Sequence, residues 1–394
     1  MRFPPPALFT IIVLSCASHA NAGGWSWKFW RKPVVAVKQA PRVRLAALTG
    51  ATGTSAEAGL RKELIRAGEV LPVAADDKAV FSLGGSSVGG RISARLTGEK
   101  GKEIFERTYA APGLEDNVKA LADDVIYAIT GQPGLATSQI AFVSDASGKK
   151  QIYLCRADGT DVQQVTHDPH GAVSPSLSYD ASLLVYTTYR SGFPMIQMLD
   201  LGGGHERLLS DSPGGGSGAA ISPDGQRVAM TLGFVGTPEI FVTEVGSGST
   251  LCVSETTGVP GSPAWHPKEP LIMFSCDNGR SPTLWLATLR KDDRARPWPT
   301  HQSFCTDPEW SPDGTQVAFT AKSGGSFCVV VKDYPSGESH VLHRGGAQHP
   351  TWSPNGRFIA YVQGGALHVH DLKTQEQRPL LKSFGTISEP RWMR

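Results

Sequence analysis

Short apolar segments alternate with polar residues along the chain from about residue 139 to its end. Val317-Ala318-Phe319 and Ile359-Ala360-Tyr361 are typical, and similar segments occur at residues 139–143, 239–242, 283–286 and 366–369. Apolar segments of this length, bounded by turn residues, indicate β-strands rather than helices. The 44 Gly and 28 Pro residues are spread along the whole chain, as expected when tight turns join many short strands. The pattern therefore predicts a mainly β fold.

A repeated phrase sets the architecture of this region. Its form is Pro-x-Trp-Ser-Pro-Asp-Gly followed by an apolar strand, complete at residues 308–314 and nearly complete at 350–356. Weaker copies lie at 263–267, 219–225 and 175–180, and a truncated copy, 390–392, ends the chain. The Trp position recurs at residues 177, 221, 265, 310, 352 and 392, a spacing of 40 to 45 residues. Six copies at this period predict a six-bladed β-propeller.

The Ser-Pro-Asp-Gly tetrad predicts a tight turn between the first two strands of each blade, strands A and B. Pro presets φ, Asp hydrogen-bonds its own backbone, and Gly adopts the left-handed conformation. Strands C and D follow in each unit, with strand D at segments such as 163–166 and 206–209. The Trp of the phrase is predicted to pack between neighbouring blades.

The two ends of the propeller region are predicted to complete one blade together. The last copy stops just after its strand A, whereas residues 139–143 read as a strand B with no strand A before them. Pairing of residues 390–392 with 139–143 would remove the free sheet edges and close the ring.

Residues 42–134 predict a small α/β domain before the propeller, which is assigned to residues 135–394. The element order is β-α-β-β-β-α, with strands at 43–48, 80–83, 91–96 and 102–107 and helices at 55–67 and about 115–130. Ser55 is the expected cap of the first helix, whose apolar face is Leu60, Leu64 and Ile65. The stripe expected on the second helix is Val118, Leu121, Val125, Ile126 and Ile129. Gly131 and the residues after it are expected to end this helix.

The first 22 residues predict a cleavable export signal. Arg2 precedes an apolar segment at residues 7–15, and Ala20-Asn21-Ala22 is an A-x-A cleavage site. The apolar segment is too short for a membrane-spanning helix, so a soluble exported chain is expected. In an alternative interpretation Cys16 is the acylated cysteine of a lipoprotein.

Residues 23–41 form a basic, Trp-rich arm. Trp25, Trp27 and Trp30 are interleaved with basic residues such as Lys28 and Arg31, and no Asp or Glu occurs before Glu57. This composition is typical of a segment that contacts a membrane surface or docks a peptide. The alternative is a disordered leader without a binding role.

Charge and cysteine content exclude several classes of function. A formal net charge of +2 provides no basic face for nucleic acid. Five cysteines follow the signal peptide, and their spacing does not match a metal site. They are expected to be small buried hydrophobes, with a Cys305–Cys328 disulfide as an alternative.

His368 and His370 share one face of a strand, but no third metal ligand is apparent from the sequence. Neither a metal nor a cofactor is predicted.

No catalytic motif stands out, and a non-enzymatic function is predicted. Residues 85–89 match G-x-S-x-G, but they are interpreted as a Gly-rich loop before a strand, whereas a nucleophile elbow lies between a strand and a helix. The alternative is a carbohydrate-binding or carbohydrate-active propeller that uses Asp307 and Glu389 as paired acids in the channel.

Candidate partner-binding residues lie at the mouth of the predicted channel, where strands D connect to strands A. The residues that precede the strand A proline, or its counterpart, are Ser174, Gly218, Ser262, Asp307, His349 and Glu389. His170, Arg190 and Arg280 belong to neighbouring loops of the same face. Together these nine residues are predicted to bind a protein partner, the alternative being that they are ordinary solvated side chains.

Residues 42–394 resemble the TolB family of the Tol-Pal cell-envelope system. The shared features are a signal peptide, a domain ending in a helix and Thr130-Gly131, and Ser138-Gln139-Ile140-Ala141-Phe142-Val143 opening a propeller of W-S-P-D-G repeats. The resemblance implies a periplasmic protein, monomeric, that docks the peptidoglycan-associated lipoprotein Pal at a channel mouth. It also implies contact of the N-terminal region with the inner-membrane protein TolA, and a role in outer-membrane integrity and envelope constriction during cell division.

Overall fold

The computed structural model describes residues 40–75, 77–212, 214–233, 237–290 and 293–393. The predicted signal peptide, Cys16 and residues 23–39 of the arm lie outside the described residues. In the part that is described, no helix combines the length and the apolar character needed to cross a membrane.

The N-terminal part is a five-stranded sheet covered by two helices. The strand order is β2-β1-β3-β4-β5; β1 is parallel to β2 and β3, and the other pairs are antiparallel. The elements are β1 Arg42–Thr49, α1 Gly53–Ala67, β2 Leu71–Val73, β3 Phe81–Val88, β4 Arg91–Thr97, a 3-10 turn Glu99–Gly101, β5 Glu103–Tyr109 and α2 Leu114–Thr130. One apolar core joins both helices to the sheet.

Helix α1 differs from the prediction at two points. Leu60 and Leu64 are buried as expected, but Ile65 is 61% exposed. Five residues advance a helix by about 140° beyond one full turn, so Ile65 lies well away from the face of Leu60. The predicted Ser55 cap is also wrong, because the helix begins at Gly53 and has no side-chain cap. The Oγ1 of Thr52 instead hydrogen-bonds the Oγ of Ser87 at 2.7 Å.

Two further features of this domain were not anticipated. Strand β2, parallel to β1, is only three residues long, too short to show a periodic pattern. Residues 85–88 of the G-x-S-x-G match belong to strand β3 and continue through a turn into β4, so the predicted loop is wrong. At Gly85 an added Cβ would lie 2.0 Å from the carbonyl oxygen of Ser93, so the close approach of two strands explains this glycine.

Helix α2 agrees with the prediction. Val118, Leu121, Val125 and Ile126 are buried, and Ile129 packs at the edge of the core. The helix ends at Gly131, whose φ of 74° is left-handed and whose N–H donates to Tyr127 O at 2.8 Å.

Six four-stranded antiparallel sheets form the propeller, which confirms the predicted fold. Blades 1 to 5 each use four consecutive strands in the order A to D. Blade 1 comprises β9 Ala172–Leu177, β10 Leu183–Thr188, β11 Met195–Asp200 and β12 Glu206–Ser210, and blade 2 comprises β13 Gly216–Ile221, β14 Arg227–Leu232, β15 Glu239–Glu244 and β16 Thr250–Cys252. Blade 3 comprises β17 Val259–Trp265, β18 Leu271–Asp277, β19 Thr283–Thr288 and β20 Arg296–Pro297. Blade 4 comprises β21 Ser303–Trp310, β22 Gln316–Ser323, β23 Ser326–Asp333 and β24 Ser339–His343, and blade 5 comprises β25 Gln348–Trp352, β26 Phe358–Gln363, β27 Ala366–Asp371 and β28 Gln377–Leu381.

Blade 6 closes the ring as predicted. Its strand A is β29 Ile387–Met393, and its strands B to D are β6 Gln139–Ser144, β7 Gln151–Arg156 and β8 Gln163–Gln164. Strands β29 and β6 are antiparallel, with Trp392 opposite Ile140. The Trp392 indole is buried, and its Nε1 donates to Ser138 Oγ at 3.0 Å. Each end of the propeller segment is thereby held by the other.

The repeated phrase acts as predicted. In blade 4 the Ser311 hydroxyl and the Thr315 N–H both donate to Asp313 Oδ1, at 2.6 and 3.0 Å, and Gly314 is left-handed with φ 79°. The Trp residues pack between blades and also bond to the preceding blade: Trp310 Nε1 donates to Ala264 O at 3.3 Å, Trp352 Nε1 to Glu309 O at 3.2 Å and Trp265 Nε1 to Ala220 O at 2.9 Å.

The five cysteines of the described residues are free, so the alternative Cys305–Cys328 disulfide is not formed. Both thiols lie in the core shared by blades 3 and 4, where the Cys328 Sγ contacts Ala321 O at 3.5 Å. Cys155 and Cys276 are also buried, and Cys252 is half-buried. The four buried cysteines act as small core residues, as expected, whereas Cys252 is only partly buried.

The propeller has two faces, here called the D–A face, which carries the D–A and B–C loops, and the A–B face, which carries the A–B and C–D loops. The α/β domain packs on the A–B face. Glu69 forms an ion pair of 3.1 Å with Arg357 and accepts a hydrogen bond from Asn355 Nδ2, in the A–B turn of blade 5. Arg66 pairs with Asp158 of blade 6 at 2.6 Å. These contacts of the described α/β residues lie on the A–B face, away from the D–A face.

Candidate partner-binding site

A β-bulge interrupts every inner strand at the same position. In each blade, two strand A residues oppose one strand B residue; in blade 4, for example, Asp307 and Pro308 oppose Phe319. The same irregularity occurs in the other five blades. The first bulge residue is left-handed in all six, with φ between 48° and 59°: Ser174, Gly218, Ser262, Asp307, His349 and Glu389.

This conformation is strained for five of the six residues. A residue with a Cβ prefers negative φ, and the residue before a proline is further restricted to extended backbone. The left-handed conformation costs on the order of 1 kcal/mol at each such position. It persists because the strand pairs regularly on both sides of the bulge, and a bulge redirects the side chain it carries. The ring holds six redirected residues in fixed conformations.

These six residues line one cavity, here called the mouth cavity, as the sequence predicted. Its volume is about 140 Å³, and its other lining residues are Pro175, Ala219, Pro263 and Arg391. Each blade contributes its bulge residue, so the convergence follows from the six-fold repeat. That these residues bind a partner remains a prediction.

Hydrogen bonds link the bulge residues of different blades across the mouth cavity. His349 Nδ1 lies 3.3 Å from Asp307 Oδ2, and the Ser262 hydroxyl donates to Asp307 Oδ1 at 3.2 Å. On another side the Ser174 N–H donates to Glu389 Oε2 at 2.7 Å. The side chains are thus positioned before any partner arrives.

The electrostatics of the cavity favour an ionised Asp307 beside a protonated His349. Burial alone would raise the pKa of Asp307, but His349 and Arg391 hold that pKa well below its usual range. Burial would lower the pKa of His349, but the Asp307 and Glu389 carboxylates raise it above its usual value. The charge of the cavity therefore depends on His349 near neutral pH.

Sequence reasoning missed two charged residues deeper in the channel. Arg391 lines the mouth cavity from below and pairs with Glu309 Oε2 at 3.4 Å. Glu309 also accepts hydrogen bonds from Thr351 Oγ1 and the Trp352 N–H, at 2.8 and 3.0 Å. Burial is the main reason that the pKa of Glu309 is raised. The repeat did contain a signal for these two residues. Glu309 and Arg391 occupy the position after the strand A proline, where the other four blades have a small residue: Ser176, Ala220, Ala264 and Thr351.

The other three predicted residues do not line the mouth cavity. Arg190 pairs with Asp168 and Glu206, at 2.6 Å each, and these carboxylates raise its pKa further. His170 and Arg280 are exposed on loops of the D–A face. Arg190 therefore ties blade 1 to the loop that enters it from blade 6, and of these three residues only His170 and Arg280 extend the surface around the mouth.

The described part of the chain contains no group of three or more His, Cys, Asp or Glu side chains arranged to hold a metal ion.

Comparison with known proteins places the chain in a family. Residues 127–394 match the family model described as the TolB beta propeller domain. A protein TolB homolog of Chlorobium chlorochromatii is 36% identical over 136 residues, which are 30% of this chain and 30% of the relative. The Tol-Pal system protein TolB of Desulfosudis oleivorans is 36% identical over 95 residues, 24% of this chain and 20% of the relative. The chain thus matches less than a third of the length of these relatives.

Solved structures agree with the fold. TolB from Acinetobacter baumannii superposes with a TM-score of 0.71 and 20% identity, covering 90% of this chain and 96% of that one. A putative TolB from Agrobacterium tumefaciens superposes with a TM-score of 0.51 and 15% identity, covering 63% and 90%. Because the family model spans more than half of the sequence, the chain belongs to the TolB β-propeller family.

Proposed function

We propose that this chain is a non-enzymatic, periplasmic component of a Tol-Pal system that docks a Pal-like peptidoglycan-associated lipoprotein at the mouth cavity. The observation that carries the proposal is the ring of six redirected residues, which converge on one cavity at the centre of the D–A face. Family membership supports the system, since relatives are named as Tol-Pal system proteins. In this role the protein supports outer-membrane integrity and envelope constriction during cell division.

The dimensions of the mouth cavity support a protein partner. Sites that enclose small molecules usually measure about 300–1,000 Å³. A cavity of about 140 Å³ accommodates one inserted side chain, with the rest of the partner lying on the surrounding loops. Fixed backbone conformations at the ring reduce the ordering cost of binding. His170 and Arg280 lie where such a partner would extend beyond the cavity.

The carbohydrate alternative receives less support. Asp307 and Glu389 do line the same cavity, but a glycosidase needs one carboxyl group that is protonated near neutral pH. The pKa of Asp307 is lowered, so this group is a poor proton donor. Glu389 already accepts a hydrogen bond from the Ser174 N–H. Both facts favour a binding role over catalysis.

The remaining parts of the proposal concern export and other partners. Residues 1–22 direct export, and the mature chain acts as a monomer that binds no nucleic acid. Contact with a TolA-like inner-membrane protein is assigned to the N-terminal region, and contact with a membrane surface to residues 23–41. Vesicle flotation of the mature chain tests the membrane contact: binding should depend on Trp25, Trp27 and Trp30 and weaken with salt.

Docking at the mouth cavity is tested by titrating the mature chain with the soluble domain of the Pal-like lipoprotein of the same organism. Changing His349→Ala, Asp307→Asn and Glu389→Gln together should weaken the Kd at least about tenfold, because buried polar contacts dominate such sites. The matched control is Asp180→Asn with Asp224→Asn on the A–B face, which should leave the Kd unchanged. Equal binding by the mouth variant and the unaltered chain would refute the proposal.

A further inference from the structure

Strand A of blade 4 carries a second β-bulge, nearer its D–A face end than the bulge at Asp307. In the pairing of β21 with β22, Phe304 and Cys305 together oppose Ala321. Each of the other described strands A has a single irregularity, the one at its mouth residue. Bulges redirect the side chain they carry and often lie beside binding sites. The repeat therefore does not explain this second bulge, which is specific to blade 4.

The second bulge holds Phe304 in a strained conformation. Its φ of 55° is left-handed, which is an outlier for a bulky side chain. The B–C loop of blade 3 fixes the backbone there: the Phe304 N–H donates to Ser281 Oγ at 2.9 Å, and the Cys305 N–H donates to Pro282 O at 2.8 Å. Strained backbone of this kind concentrates at ligand-binding sites. The strain at Phe304 sets an aromatic ring at the D–A face.

The ring of Phe304 belongs to a small cluster with Phe327 and Lys322, here called the Phe304 patch. The two rings meet edge to face, with 5.4 Å between their centroids. The Lys322 Nζ lies 4.3 Å from the centroid of Phe304 and 4.8 Å from that of Phe327. Both rings are partly exposed, and neither belongs to the apolar core that blades 3 and 4 share. The patch therefore presents a preformed apolar surface, which a partner can cover at little entropic cost.

Positive charge surrounds the Phe304 patch. Hydrogen bonds join four segments at this corner of the D–A face, residues 277–282, 298–304, 322–327 and 344–347. These segments contain Arg280, Lys322 and Arg344 against one carboxylate, Asp277. Arg280 and Arg344 are exposed, and the Arg344 guanidinium donates to the Ser323 hydroxyl at 2.7 Å rather than to a carboxylate. Within the described residues, the excess of positive charge at this corner is therefore open to an acidic partner.

We propose that the partner that docks at the mouth cavity also lays an acidic segment on the Phe304 patch. An aliphatic or aromatic side chain of that segment covers the two rings, and its Asp or Glu side chains lie beside Arg280, Lys322 and Arg344. Phe304 is three residues before Asp307 on β21, about 10 Å along a strand, so one protein domain can span both sites. Charge complementarity selects an acidic segment over a basic one, which the three cations repel. This second contact rests on the proposed function, since the same partner makes it, and it fixes how that partner is oriented on the D–A face.

The test titrates the mature chain with the soluble domain of the Pal-like lipoprotein of the same organism, followed by calorimetry. A reversal variant carries Arg280→Glu, Lys322→Glu and Arg344→Glu together. Its Kd should be weaker by at least about tenfold at about 50 mM NaCl and by a smaller factor at about 500 mM, because salt screens exposed charges. The matched control reverses three exposed lysines of the α/β domain and should leave the Kd unchanged: Lys62→Glu, Lys78→Glu and Lys102→Glu.

Phe304→Gly separates a binding role of the ring from a structural one. Glycine adopts the left-handed conformation without strain, so this variant removes the ring and relaxes the backbone at the same time. Binding should weaken about fivefold, because a rigid aromatic contact is lost. The midpoint of urea unfolding should stay close to that of the unaltered chain, since the relief of strain offsets the lost packing. Tyr179→Ala, at a 50% exposed aromatic residue of the A–B face, is the control and should bind normally.

The mouth variant, with His349, Asp307 and Glu389 changed together, distinguishes failure of the second contact from failure of the proposed function. If the mouth variant binds weakly while the reversal variant and Phe304→Gly bind normally, the second contact is refuted and docking at the mouth cavity stands. If the reversal variant and Phe304→Gly bind weakly while the mouth variant binds normally, docking at the mouth cavity is refuted and the patch contact stands. Tighter binding by the reversal variant would assign a basic partner surface and overturn the proposal. A soluble domain that does not bind the unaltered chain refutes both.

Discussion

His349 of blade 5 and Asp307 of blade 4 are joined across the mouth cavity, with 3.3 Å between Nδ1 and Oδ2. Both residues are left-handed first residues of a β-bulge, with φ of 52° and 51°. Two strained backbone positions in neighbouring blades therefore hold the imidazole of His349 against the carboxylate of Asp307. The pair joins two neighbouring blades at the mouth cavity.

The stability of the propeller should respond to the charge of His349. The pKa of His349 is raised in the folded chain, so the folded state binds its proton more tightly than the unfolded state. The resulting stabilisation is complete below the unfolded pKa of about 6.5 and is lost as pH rises through the folded pKa. The difference in free energy of unfolding between the unaltered chain and His349→Gln should therefore shrink from pH 5.5 to 8.5, measured by urea unfolding. His340→Gln, at a 63% exposed side chain, is the control; a pH-independent difference for His349→Gln would contradict the argument.

A second group of histidines should act in the opposite direction. The ring of His343, from blade 4, lies 5.0 Å from that of Tyr361, and Tyr361 stacks on His368 at 5.6 Å; His370 is buried on the same strand as His368. A third histidine, His343, thus approaches this strand from the neighbouring blade. Burial is the main cause of the lowered pKa of His368 and His370, with His343 adding to it.

Acid should weaken the contact between blades 4 and 5. With a folded pKa below the unfolded value, these histidines take up protons more readily when the chain unfolds, so stability falls as pH drops below about 6.5. The melting temperature should decline from pH 7.5 to 5.0, and the double variant His368→Gln and His370→Gln should flatten that decline. His205→Gln, on an exposed loop, should not. A decline of equal slope in the double variant would show that other groups cause it.

The difference between predicted and observed features has a physical origin. The propeller, its closure and the convergence of Asp307 and His349 were predictable because a 40-to-45-residue repeat fixes equivalent positions in every blade. Contacts made by residues outside the repeat were not predictable, as Arg190 shows. The sequence does not distinguish a loop arginine that is unpaired from one that is bound to Asp168. The Ser55 cap failed because the helix start was set by a tertiary contact of Thr52 with Ser87.

Thiol reactivity should distinguish one cysteine from the other four. Burial raises the pKa of Cys155 to about 12 and is the main cause of a pKa of about 11 for Cys305, so few thiolates form at these sites near neutral pH. Cys252 is half-buried and should label first with an aromatic disulfide reagent at pH 8. Cys252→Ser should remove the fast phase, and urea should expose the remaining thiols. Rapid labelling of Cys305 in the folded chain would contradict its burial.

Loss of the last strand should destabilise the whole propeller, because β29 supplies strand A of blade 6. Trp392 is 4% exposed, and its backbone N–H donates to Thr351 Oγ1 of blade 5 at 2.9 Å. Trp392→Ala should cost about 3–5 kcal/mol of unfolding free energy, as for other buried aromatic residues. Trp392→Phe keeps most of the packing and loses only the bond to Ser138, so its cost should be nearer 1 kcal/mol.

Truncation after Ser388 should have a larger effect than either substitution. It removes the strand A bulge of blade 6 and exposes the edge of β6, so the ring no longer closes. Circular dichroism should show a lower and broader thermal transition. The loss of stability should spread beyond blade 6, because each blade is stabilised by packing on its neighbours. A truncated chain that melts cooperatively at the original temperature would mean that the other five blades hold the ring without the closing strand.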